Sequence, residues 1–132
     1  MAITIPVRAG GDINPSRFVT VDTTARHTVV ESNSGDTKIL GISDEATKNA
    51  PQTGSSSLAA ESGDQFRMHA YGSDPLLELG TGGCTAGDFL KPDNDGKGVT
   101  AGAADVAGAI ALETGSAGEK VKVQIVLFSV PA

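Results

Sequence analysis

Cys84, His27 and His69 are the residues of this 132-residue chain with the most reactive side chains, because a thiol becomes a nucleophile once an imidazole takes its proton. His27 follows Arg26 in a polar turn, and His69 sits between Met68 and Ala70 in an alternating stretch. Cys84 follows Gly82-Gly83, a setting for a small semi-buried residue. Nothing in the spacing brings either imidazole to the thiol, so both histidines read as surface or edge residues. Asp44, Glu45 and Glu113 could supply a carboxylate pair for glycoside cleavage. A chain with four Phe, one Tyr and no Trp lacks the aromatic sugar contacts such a pair needs, and solvated turns explain the carboxylates.

Two loop motifs fail on spacing. Lys91-Pro92-Asp93-Asn94-Asp95-Gly96 has the glycine of a calcium loop, but Lys91 occupies the position where the first carboxylate must stand. Asp95-Gly96 is a hairpin turn, where glycine accepts the positive φ required. Gly96-Lys97 fails as a phosphate loop, because the pattern needs Gly at 91 and Ser or Thr at 98, and Lys91 and Gly98 are there instead. One cysteine and two distant histidines match no zinc spacing, and a single cysteine forms no intramolecular disulfide. The sequence therefore assigns no catalytic, cofactor or metal residue, and the chain reads as a non-enzyme.

The net charge of −6, with the ten basic residues scattered, argues against nucleic-acid binding. No run approaches the roughly 18 apolar residues of a membrane span, and the N-terminus lacks the apolar core of a signal peptide. The expectation is a protein made in the cytoplasm. Apolar residues make up 39% of the chain, many of them Ala and Val, so the core is thin. Oligomerisation is a substitute source of buried area.

The elements are strands. Phe18–Val21 and Thr28–Glu31 form a hairpin, and Lys38–Ile42 follows as a buried strand. Asp44–Ala60 is polar and interrupted by Pro51 and Gly54, which makes it a long surface loop. Phe66–Tyr71, Leu76–Leu79, Phe89–Lys91, Gly98–Thr100, Ala107–Leu112 and Val121–Phe128 complete the set. Ahead of them, Ile3, Ile5 and Val7 alternate with Thr4 and Pro6, an extended segment with one apolar face. Pro6 excludes a central strand position, so residues 1–14 read as an arm and 15–132 as a single β-domain.

The second half repeats the first. Arg17-Phe18-Val19 corresponds to Asp88-Phe89-Leu90, and Thr28-Val29-Val30 to Gly98-Val99-Thr100. Leu40-Gly41-Ile42 corresponds to Ala107-Gly108-Ala109-Ile110, and Ser62–Met68 to Ala117–Val123. The glycine in the third strand permits close backbone approach where two β-units press together. The predicted fold is all-β: a small compact barrel or sandwich-like domain of two similar half-repeats, about 15–75 and 85–130, with an extended N-terminal arm.

Arg8-Ala9-Gly10-Gly11-Asp12-Ile13, Phe18-Val19, Gly87-Asp88-Phe89-Leu90-Lys91 and Gly115-Ser116-Ala117-Gly118-Glu119-Lys120-Val121 together resemble the head decoration, or capsid cement, proteins of tailed bacteriophages. Thr85-Ala86-Gly87-Asp88 through Gly108-Ala109-Ile110-Ala111 is similar in plan to the lambda-type members. The resemblance spans nearly the whole chain and rests on turns and strands. It implies a virion protein on the outer capsid surface that bridges major capsid protein subunits, as a homotrimer, and stabilises the expanded head. It also implies that the arm, Ile3, Thr4, Ile5, Pro6, Val7 and Arg8, adds to a strand of the capsid protein. On that reading the β-domain folds without the arm. The alternative is a carbohydrate- or receptor-binding module of a tail fibre or spike.

Overall fold

The structure is a computed structural model in which residues 4–22, 26–34, 38–43, 60 and 62–130 are described. Strands account for all the regular structure of those residues. The first half contains β1 (Thr4–Ala9), β2 (Phe18–Val21), β3 (Thr28–Glu31), β4 (Ile39–Ser43) and β5 (Gln65–His69). They close a barrel in the order β1-β3-β2-β4-β5. The second half contains β6 (Leu76–Glu78), β7 (Phe89–Pro92), β8 (Gly98–Thr100), β9 (Val106–Ala111) and β10 (Lys120–Ser129), in the order β6-β10-β9-β7-β8.

These two orders are one plan. In the first half β1 runs antiparallel to β5 and parallel to β3, where Arg8 faces Thr28 and Ala9 faces Val29. In the second, β6 runs antiparallel to β10, and a parallel bridge from Leu79 to Gly98 ties the outer strands together. Matching main-chain bonds fix the correspondence: Ala9 N–H donates to Asp64 O as Leu79 N–H does to Glu119 O, both at 2.8 Å. Gly10 N–H donates to Val29 O as Gly80 N–H does to Gly98 O, again at 2.8 Å. The Ile13–Ala60 bridge recurs as Cys84–Gly115. The two halves therefore follow one strand order, with β1 and β6 as their opening strands.

Register corrects two details of the sequence correspondence. Val29 matches Gly98, one residue on from the pairing expected, because Val21 faces Val29 where Pro92 faces Gly98. Gly41 and Gly108 are not equivalent either: Gly41 faces Val19, and its counterpart facing Leu90 is Ala109. Both glycines still mark close approaches. A Cβ on Gly41 would lie 2.0 Å from the His69 carbonyl oxygen, and one on Gly108 would lie 2.8 Å from Cε1 of Phe18.

The second contact shows where the halves meet. Val7, Ala9, Ile13, Val19, Val29, Ala60 and Met68 fill the first barrel. Phe18, Ile39 and Ile42 instead join Leu77, Leu79, Leu90, Val121, Val123 and Ile125 in one cluster shared by both halves. Alternation along β2 decides this split, since Phe18 and Val19 point to opposite faces. Polar contacts seal the junction. Phe18 N–H donates to Gly96 O and Glu78 N–H to Ser16 O, at 2.8 and 2.9 Å. The Arg17 guanidinium lies 2.9 Å from Asp95 O and 3.4 Å from Glu78 Oε1.

The expected arm is overturned. Thr4–Ala9 is a strand of the closed barrel, with Val7 and Ala9 buried inside it and Ile13 completely buried beyond it. An extended segment with one apolar face satisfies its backbone most completely within its own sheet, and β5 supplies a partner for every residue from Thr4 to Arg8. Pro6 is accommodated because its nitrogen points away from β5, into a stretch of β1 that has no β3 partner among the described residues.

Candidate functional site

Of the expected capsid-binding residues, Ile3 lies outside the described residues. Thr4 is half-buried, Val7 is buried, and Ile5, Pro6 and Arg8 are exposed. Arg8 N–H donates to His27 O at 2.8 Å, on the β3 side, while Ala9 N–H points to the β5 side. Main-chain direction alternates along a strand, so the polar groups of Thr4 and Pro6 face the same way as those of Arg8. Pairing with β3 covers only Arg8 and Ala9. β3 begins at Thr28, so the part of β1 before Arg8 has no β3 partner among the described residues, and the barrel has a mouth there.

Two adjoining cavities form that mouth. One, of about 260 Å³, is lined by Ile5, Val21, Val29 and Leu40 together with the polar Asp22 and Thr28. The other, of about 490 Å³, is lined by Arg8, Arg26, His27 and Gln65. Pro6, Val7 and His27 belong to both. Ile5, Val21 and Leu40 are each 37–38% exposed, at the ends of strands whose other apolar residues point inward. His27, with φ 51°, ends the turn that leads into β3. Sequence reading missed Val21, Arg26, His27 and Leu40 as a group, because only the barrel register brings their three segments to one rim with β1.

The residues weighed for catalysis are held apart in structural roles. Cys84 is buried, its Sγ lies 3.5 Å from Glu113 O, and its backbone pairs with Gly115. Burial pushes its thiol pKa up, opposite to what a nucleophile needs. His69 bonds Ser73 Oγ through Nδ1 at 3.2 Å. It is half-buried on β5, which is flanked by β1 and β4, so it is not an edge residue. Glu113 Oε1 accepts the Lys122 N–H at 2.7 Å, a turn contact. Asp44 and Glu45 lie outside the described residues. Asp93 Oδ1 accepts the N–H groups of Asp95 and Lys97 at 2.8 and 3.0 Å, and Gly96 has φ 77°, so this segment is the β7–β8 hairpin turn.

No protein-family model matches the sequence, and no curated protein sequence matches it. A solved structure does. The chain is similar in fold to a phage head-fibre base. That structure is the crystal structure of the head fibre gp8.5 N base of bacteriophage phi29, with a TM-score of 0.60 and 17% identity over the whole of both chains. At that identity the likeness is one of fold, and it extends to both halves.

Proposed function

We propose that this chain is a structural, non-enzymatic protein of a phage virion that sits on the outer surface of the head. The observation that carries this reading is the fold it shares, along its whole length, with the head-fibre base of phi29. The decoration-protein resemblance of the sequence points to the same location. On this reading the partner is the major capsid protein, and the chain bridges neighbouring subunits of the expanded shell, as a homotrimer. Binding only the expanded shell stabilises it by mass action, and several linked contacts give firm attachment from modest single ones.

A second reading is favoured by the same structural likeness: the domain anchors a fibre on the head without stabilising the shell. Co-sedimentation with undecorated heads, followed by a thermal melt of the decorated heads, separates the two. A cement protein pellets with expanded heads, leaves unexpanded ones, and raises the temperature at which they release DNA. A fibre base pellets and leaves that temperature unchanged. A chain that pellets with neither kind of head contradicts both.

A further inference from the structure

We propose that the mouth of the first barrel is a docking groove for an extended segment of a partner polypeptide that carries carboxylate and aliphatic side chains. The partner's identity as a shell protein rests on the function proposed above; the chemistry of the groove does not.

The strongest support is the contrast between the halves. By register, Arg8 corresponds to Glu78, since Ala9 faces Val29 as Leu79 faces Gly98. Glu78 is held internally, 3.5 Å from Lys97 Nζ and 3.4 Å from the Arg17 guanidinium. In the first half that position is a cation. It shares its cavity with Arg26 and His27, and neither Arg8 nor Arg26 has an ion-pair partner among the described residues. Two guanidinium groups on this rim, with no ion pair to another described residue and with Asp22 the carboxylate lining the adjoining cavity, are complementary to a carboxylate brought from outside, on a molecule of net charge −6. The apolar side shows the same contrast. Ile5 and Val21 correspond to Pro75 and Pro92, both buried, so the fold itself does not require exposed side chains at these places. Ile5, Val21 and Leu40 nevertheless are three of the five large exposed hydrophobics among the described residues, and they converge on one cavity. Finally, the backbone edge of Thr4 and Pro6 lacks a β3 partner among the described residues, leaving the Thr4 N–H and two carbonyls for an added strand.

The test uses the full isotope-labelled chain and two synthetic peptides, acetyl-Glu-Val-Glu-Val-Glu-amide and its counterpart with Lys in place of Glu. The acidic peptide is expected to shift the amide resonances of Thr4, Ile5, Val21, His27 and Leu40. The effect should weaken at about 0.5 M salt, where charges are screened over a few ångströms. The exposed double variant Arg8→Glu/Arg26→Glu should bind at least about tenfold more weakly. Equal shifts with the Lys peptide, or shifts confined to another face, overturn the proposal. So do shifts at these residues that grow with protein concentration alone, which would show a second copy in the mouth. Undecorated heads separate this inference from the function. Heads that bind the wild type and the double variant equally well contradict the groove and leave the virion reading standing. Peptide binding at the mouth by a chain that ignores heads supports the groove and sinks the virion reading.

Discussion

Gly41 shows how one residue carries the barrel. Its Cα lies where β4 meets β5, and a side chain there would run into the His69 carbonyl, a backbone atom that cannot turn aside. Gly41→Ala is expected to cost about 3 kcal/mol, the upper part of the range for overpacking, measured by urea unfolding. Gly108→Ala meets the Phe18 ring and an Ile39 methyl, which can yield, and should cost about 1 kcal/mol. Cys84 gives a chemical test. Because burial raises its folded pKa, its stabilising contribution is complete below the unfolded pKa and is lost as pH rises through the folded value. Iodoacetamide should therefore label the native thiol at least about tenfold more slowly than the unfolded one at pH 8; equal rates would contradict its burial. Asp105 runs the other way. A side-chain bond from Lys91, at 2.9 Å, and the Gly102 N–H hold its carboxyl below the usual range. Its contribution is present above the unfolded pKa and drains as pH falls through the folded one. In Asp105→Asn the stability lost on acidification should be smaller than in the wild type.

Among the elements, the strands were legible because period-two alternation and turn glycines mark them locally. Phe18–Val21, Thr28–Glu31 and Gly98–Thr100 stand at the bounds read from sequence, and the others agree within one or two residues at most ends. The repeat was legible as an order of segments. Its register was not, because a one-residue slip in β3 or β4 changes no local pattern and is decided only by the partner strand. β1 was misread for a related reason. Pro6 argues against pairing on both edges, and nothing local shows that the edge facing its nitrogen stays unpaired while the other is taken by β5. The consequence reverses an expectation drawn from sequence. Deleting residues through Gly10 removes a barrel strand and the buried Val7 and Ala9, so the truncated chain should lose its far-UV β signal; retention of that signal would show that β1 is dispensable. The candidate site was the least legible part, since Ile5, Val21, Arg26 and Leu40 belong to four segments that meet only once the barrel closes.

At the scale of the molecule, the two halves share one apolar cluster and a polar seam at Arg17, Glu78 and Gly96, so they should unfold as a unit. Phe18→Ala removes the largest fully buried side chain among the described residues and should cost about 4 kcal/mol, as for other buried phenylalanines. Calorimetry of that variant should still show one transition; two would mean that the halves fold independently. The two halves differ at corresponding places: Glu78 pairs with Lys97 in the second sheet, whereas Arg8 and Arg26 line a cavity of the barrel. The most direct test is a cryo-electron reconstruction of expanded heads incubated with the chain. The expected result is added density of barrel and sheet on the outer surface, with the Arg8 and Arg26 mouth against the shell. Heads that gain no outer density would contradict it.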